Sequence, residues 1–373
     1  MIRATTRLFC AAAVAAAIAL SGTPALAQSG PNFRPSLWEV SVVQAADAPG
    51  RAIAKELAGV ESYRGSQGWV RYRRLLASEF DIEVPEAPEE IRLPLRGHDL
   101  HLDQWKPDGP EKGVLILVHG AGGNGRILAP LAQAASRQGW KVLAPDLPGY
   151  GLTRPAGTFA WDYAEWPRVV AALADLQTGP VVLLGASVGG LTAVQAAALS
   201  PGVKGVIATT LVDMGDPRTF IRVARWPWLA AASLVGFEHA PWLLDEVALP
   251  LNWLAPMKTM TSSPPLQAYF EEDPGLGQAR IPARFFRTLH AQKLGRVTLG
   301  CPLLLVHPGA DAWTPTALSL EVYDRIDGEK TFIELTNGSH LPLEAPAADQ
   351  LQSAVQAFLD RVEEAEAGGP ACA

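Results

Sequence analysis

The residues Gly185-Ala186-Ser187-Val188-Gly189 follow an apolar run at 181–184 and precede a stretch of small and apolar residues at 191–199. This G-x-S-x-G pattern in strand–turn–helix context presents a serine hydroxyl on a tight turn at the start of a helix. Glycines stand where a Cβ would collide with the neighbouring strand or helix, and the following N–H lies at the positive helix end. A serine hydroxyl is a weak nucleophile until a base takes its proton, and that base needs an acid to fix its tautomer. Asp311, after the apolar run 302–306, and His340, after the run 331–335, are of the right types. Each of the three follows a predicted strand, and loops at one edge of a parallel sheet converge. The chemistry implied is acyl transfer through Ser187, with His340 as base and Asp311 as its partner.

Other residues compete for these roles. Asp213 follows the predicted strand 203–211 and is the fallback acid, but Gly309 loosens the turn before Asp311 and favours the latter. Asp146 is expected to cap the Pro148-Gly149 turn, His119 to order the loop after the strand 114–118, and His307 to end its own strand. Arg218, Arg222 and Arg225 recur at helical spacing and read as a solvated face, with an anion clamp as the alternative. His98 and His101 are three apart in a predicted hairpin strand, so they point to opposite faces and make a poor metal pair. The glycine-rich loop His119-Gly120-Ala121-Gly122-Gly123 lacks a following G-K-[ST], and G-x-G-x-x-G is absent in register, which argues against phosphate binding.

The elements that must position these groups alternate. From residue 114 onward, strands and helices follow one another, which predicts an α/β fold with a mostly parallel central sheet covered by helices on both faces. The alternation breaks at Asp213. As far as 296 no clear strand is visible, and Trp226, Trp228, Phe237, Trp242, Trp253, Phe270, Phe285 and Phe286 crowd helical stretches. An insertion at that point reads as a helical cap over the strand ends. The apolar positions Leu351, Val355, Phe358, Leu359 and Val362 then mark an amphipathic closing helix.

The 373 residues, 48% hydrophobic and 18% charged, suit one large or two small globular domains. A net charge of −7 without a basic stripe argues against nucleic acid as a partner. Cys10, Cys301 and Cys372 have no C-x-x-C spacing, so neither a zinc cage nor a redox motif is expected. Arg3 and Arg7, the apolar stretch 8–20 and Ala25-Leu26-Ala27 form a signal-peptide pattern cleaved near Ala27. The apolar stretch is short of the roughly 20 residues that span a bilayer. Export would leave Cys301 and Cys372, either paired or with Cys301 as a buried free thiol. The division expected is a signal peptide at 1–27, an N-terminal extension at 28–88, a core at 89–212 and 297–365, a cap at 213–296 and a flexible tail at 366–373. Within the extension, the basic stretch 69–76 reads as a helix packed on the core, with bracing of the lid or contact with an anionic surface as the alternative.

Five segments together resemble the α/β-hydrolase superfamily: H-G-A-G-G at 119–123, D-L-P-G-Y-G at 146–151, G-A-S-V-G at 185–189, G-A-D at 309–311 and S-H-L-P-L-E at 339–344. Ser187, Asp311 and His340 also occur in the chain order expected of that fold. The resemblance implies that Ala121 and Val188 donate backbone N–H groups to the oxyanion, with Gly122 second to Ala121. The cap segments 271–274 and 281–285 are similar to the cap end of monoacylglycerol lipases, lysophospholipases and serine aminopeptidase-like hydrolases.

The function expected is an exported serine hydrolase of carboxylic esters with an apolar acyl or alkyl portion, requiring no cofactor or metal. Its partner is a small ester or lipid-like substrate, with Trp226, Trp228 and Phe285 of the cap as substrate-binding candidates. An aminopeptidase or amidase on the same three residues is the alternative, and would need Glu271, Glu272 or Asp273 in the pocket to hold an amine. A hydrolase-like binding protein without catalysis is the third reading.

Overall fold

The computed structural model describes residues 62–84 and 88–368, so the signal-peptide pattern and Cys372 lie outside the described residues. Twelve strands occur among them: β1 Glu89–Leu95, β2 His98–Trp105, β3 Gly113–Val118, β4 Trp140–Pro145, β5 Val181–Gly185, β6 Val203–Ala208, β7 Ala248–Pro250, β8 Arg280–Pro282, β9 Val297–Thr298, β10 Leu303–Pro308, β11 Ile326–Asp327 and β12 Lys330–Leu335. Eight form one sheet in the order β1-β2-β4-β3-β5-β6-β10-β12. β2 pairs antiparallel with both β1 and β4, and every later pair is parallel.

The sequence accounts for this layout. β3, β5 and β10 are buried along their whole length, as continuous apolar runs in a sheet covered on both faces must be. Arg96 and Gly97 take φ of 51° and 82°, the left-handed pair that a two-residue hairpin turn requires between β1 and β2. Side chains of β6 alternate between faces: a Cβ on Gly205 would lie 2.5 Å from Phe358, whereas Ala208 faces Gly190. The helices Ala347–Ala367 and Val188–Leu199 therefore cover opposite faces. The helix Ala129–Arg137 touches the former and Glu165–Asp175 the latter. β3 and β5 are thus neighbours whose following helices diverge to opposite sides, which opens a crevice at their carboxyl ends.

Between β6 and β10 the chain folds mainly as short helices, four of which begin on proline at 217, 227, 241 and 264. Proline is preorganised for a first helical position, where its missing N–H costs nothing. The insertion is not free of strands: β7 and β8 pair antiparallel, each too short to show an alternating pattern. The predicted strand 203–211 ends at Ala208.

The 69–76 stretch belongs to a helix, Gln67–Phe80, capped by the Ser66 hydroxyl, which accepts from the Trp69 N–H. Trp69, Tyr72 and Leu76 are its buried positions. Tyr72 stacks on Tyr269 of the insertion with ring centroids 5.4 Å apart, and its hydroxyl donates to the Ile127 carbonyl at 2.9 Å. Arg71 pairs with Glu272. The helix therefore packs on the core and holds the insertion at the same time. No helix among the described residues is long and apolar enough to cross a membrane.

Candidate active site

Ser187 sits at the junction of β5 and the Val188–Leu199 helix with φ 58° and ψ −132°. A non-glycine residue in that region stores roughly 1–3 kcal/mol of strain, tolerated when its surroundings over-determine it. They do so here by close approach. A Cβ on Gly185 would lie 2.1 Å from the Gly189 carbonyl oxygen, and one on Gly189 would lie 2.1 Å from that of Val118. The elbow thus presses on the end of β3, and a Cβ on Gly120 would meet that of Ser187 at 2.7 Å.

Asp311 and His340 arrive from the ends of β10 and β12, both buried. His340 Nδ1 lies 2.8 Å from Asp311 Oδ2. The same carboxylate oxygen accepts from the Thr314 hydroxyl at 2.6 Å, and Oδ1 accepts from the Trp313 and Thr314 N–H groups at 2.9 Å each. Burial pushes the Asp311 pKa up, but the charge and hydrogen bond of His340 and the Thr314 donors outweigh it and hold it at about 2. An ionised Asp311 only accepts, so the Nδ1 proton of His340 points at it, which leaves Nε2 as the nitrogen placed to exchange a proton. That Nε2 is buried and has no hydrogen-bond partner among the described residues. Ser187 and His340 line one cavity together without a hydrogen bond between them among the described residues, a contact that tightens when substrate binds.

Ala121 and Val188 sit beside Ser187, and neither N–H has a hydrogen-bond partner among the described residues. Gly122 differs: its N–H approaches the buried Tyr150 hydroxyl without reaching hydrogen-bond geometry, and its φ is 75°. His119 orders this loop. Its Nδ1 donates to the Gly120 carbonyl at 2.8 Å and its Nε2 accepts from the Leu147 N–H at 2.9 Å. Burial lowers its pKa, which keeps it neutral.

The remaining candidates are placed elsewhere. Asp213 accepts from Arg325 at 2.8 Å and from the Gly215 N–H, away from His340. Asp146 accepts from the Leu152 N–H across its turn, and also from the Gly125 N–H and the Tyr63 hydroxyl. His307 Nδ1 donates to its neighbour's carbonyl, and burial lowers its pKa. Gly309 does not loosen a turn by positive φ; its role is close approach, since a Cβ there would lie 2.2 Å from the Leu335 carbonyl oxygen. Arg218 and Arg222 share a face of the helix Pro217–Val223, but Arg225 does not, because the helix ends before it: Arg218 pairs with Asp216, while Arg225 reaches the Asn252 carbonyl and Glu271. Cys301 is a buried free thiol, its pKa pushed up to about 11 by burial.

Above Ser187 lies a cavity of about 680 Å³, walled mainly by apolar side chains of the insertion. Trp226 lines it, and so do Trp242 and Trp253, all three partly exposed at its rim. Two expected cap contacts are corrected. Trp228 is 66% exposed and is not part of the wall. Phe285 is fully buried against Tyr150, Trp161, Tyr163 and Trp166, and the wall is formed instead by its neighbour Phe286. No carboxylate lines the cavity among the described residues. Glu271 and Glu272 pair with cations outside it, and Asp273 turns back onto the Gly275 N–H.

Sequence reasoning missed Thr314, although an aspartate followed three residues later by threonine is the signal of such a turn. It also missed Trp313, whose ring lies 4.6 Å from that of His340 while its indole N–H donates to the Val223 carbonyl of the insertion at 2.7 Å.

Fold and site together define an α/β protein that offers a strained serine and a buried His–Asp pair under an apolar insertion. Residues 115–349 match the model of the alpha/beta hydrolase family, and the chain belongs to that family. It is 26% identical over 245 residues to a monoacylglycerol lipase of Mycolicibacterium smegmatis, covering 63% of this chain and 83% of that one. A pimeloyl-[acyl-carrier protein] methyl ester esterase of Xanthomonas oryzae is 39% identical over 116 residues, which span 31% of this chain and 41% of that enzyme. Among solved structures, a soluble variant of the Saccharomyces cerevisiae monoglyceride lipase aligns with a TM-score of 0.60 at 16% identity, over 76% of this chain and 99% of that one. The relatives it matches are lipases and esterases, and the chain is a lipase- or esterase-like hydrolase.

Proposed function

We propose that this protein is an exported serine hydrolase that cleaves carboxylic esters carrying an apolar acyl or alkyl portion. The observation that carries this reading is the pairing of Ser187 with the large apolar cavity directly above it. Ser187 Oγ attacks the ester carbonyl while His340 Nε2 takes its proton. Ionised Asp311 holds the imidazole by Nδ1 and stabilises the imidazolium as it forms. The Ala121 and Val188 N–H groups receive the developing oxyanion, each contributing on the order of 3 kcal/mol to the barrier reduction. His340 then passes the proton to the departing alkoxide. Water, activated by the same imidazole, releases the acid from the acyl-enzyme.

A fluorophosphonate probe tests the nucleophile: wild type is labelled and Ser187→Ala is not. Absence of labelling on a folded wild-type protein would sink the reading. Short polar esters cleaved far better than medium-chain ones would sink its apolar part. Export is motivated by Arg3, Arg7 and the apolar stretch before Ala27. It is checked by sequencing the amino terminus of the secreted or periplasmic protein, expected to begin near Gln28.

A further inference from the structure

Two cavities of very different size meet at Ser187. The larger is the 680 Å³ space under the insertion; the smaller measures about 30 Å³ on the same scale, room for one or two water molecules. Ala121, Ser187 and Trp313 line both, so a carbonyl attacked by Ser187 sits at their junction. His340 lines the smaller one and not the larger.

That placement assigns the two arms of the ester. The acyl–oxygen bond breaks when the alkoxy oxygen receives the proton held on His340 Nε2, so the alkoxy arm must lie on the side of His340. The acyl arm then points into the large cavity. Beside His340 the small cavity is lined by Ile127, Leu128, Met257, Met260, Phe270 and Leu341. None of these six side chains offers a hydrogen-bond donor, and the Trp313 N–H is already given to Val223. A polyol leaving group would bring hydroxyls against this wall without side-chain partners.

We propose that the substrate is an ester of a long apolar acid with a one- or two-carbon alcohol, and that Met260 is one of the residues that set the alcohol's size. This deepens the serine hydrolase reading and rests on it. The decisive comparison is ethyl dodecanoate against its isomer dodecyl acetate, which have the same atoms with the arms exchanged. Ethyl dodecanoate is expected to show a kcat/KM higher by at least about tenfold, the scale on which a tight apolar pocket rejects added methylenes. Butyl dodecanoate and 1-dodecanoylglycerol should fall behind the ethyl ester by a similar factor, and Met260→Ala should narrow the butyl gap. Equal or faster cleavage of dodecyl acetate or of the glyceryl ester would overturn the proposal. Fluorophosphonate labelling at Ser187 in the same preparations separates the two levels. Labelling with the wrong ester preference defeats the proposal alone, whereas labelling with no cleavage of any of these esters defeats the ester-cleaving reading with it. Loss of labelling together with all cleavage defeats the serine hydrolase reading.

Discussion

Two histidines of this protein each set Nδ1 beside a buried aspartate, one in a hydrogen bond and the other in an ion-pair contact. His340 Nδ1 lies 2.8 Å from Asp311 Oδ2, and His101 Nδ1 lies 3.0 Å from Asp146 Oδ2. What surrounds the other ring nitrogen separates them. His340 Nε2 borders a cavity shared with Ser187, whereas His101 Nε2 lies 3.6 Å from Glu90, with Asp103 and Arg126 behind it. Burial works against a charge on His101, but Asp146, Glu90 and Asp103 outweigh it and raise its pKa to about 9. A ring so held is protonated at neutral pH and has no lone pair to offer. Glu90, His101 and Asp103 bring donor atoms within 4.8 Å of one another, yet the cation seated against the two carboxylates is the Arg126 guanidinium. What sets His340 apart as the candidate base is therefore not its aspartate partner but an open Nε2 beside the Ser187 cavity.

The largest expected effects fall on the first pair. Ser187→Ala should lower kcat by about a millionfold and Asp311→Asn by about ten-thousandfold, both with folding intact by circular dichroism. Asn at 311 can donate to Nδ1 and hold the wrong tautomer, so its loss should appear in kcat more than in KM. A comparable kcat loss in a folded His101→Gln protein would break the contrast. Because Asp311 is held at about 2, it stays ionised through the working range, and the acid limb of the rate profile should report protonation of His340. A rate profile with no acid limb at all would contradict a histidine base.

The legibility of the two pairs differed in the same way. Ser187, Asp311 and His340 were readable because each follows an apolar strand run, and parallel strands send such loops to one edge. Gly185 and Gly189 advertised the elbow because backbone sits where a Cβ would go. Nothing local announces the second cluster: Tyr63 and Asp146 are 83 residues apart, and Arg126 reads as an ordinary residue of a glycine-rich loop. Cap side chains failed for another reason. Phe285 and Phe286 are adjacent and both apolar, so the pattern does not say which one faces the cavity and which the Tyr150–Trp166 cluster.

His101→Gln should act on stability instead. Removing the cation leaves Asp146 and Glu90 partly uncompensated, and breaking a buried pair of this kind costs about 3–5 kcal/mol. The pH dependence carries the sign. A histidine whose folded pKa is raised contributes its full stability below its unfolded value of about 6.5, and that contribution is lost as pH rises through about 9. Thermal melts of wild type should therefore fall across that window, and those of His101→Gln should fall less. A variant as steep as wild type would place the alkaline loss elsewhere.

The smallest effect tests how far the second cluster reaches. The Tyr63 hydroxyl donates to Asp146 Oδ2 at 2.8 Å, and the other oxygen of that carboxylate accepts from the Gly125 N–H at the end of the 119–125 loop. Tyr63→Phe removes one hydrogen bond to a charged acceptor and should cost about 2 kcal/mol of stability. Gly125, Leu152 and His101 still hold the carboxylate, so the loop should keep its place and kcat should change less than about twofold. Tm and kcat measured on the same preparation decide this. A drop in kcat that exceeds the change in stability would mean that the residues before β1 help to set the position of Ala121, and the two histidine–aspartate pairs would then be mechanically joined through the loop.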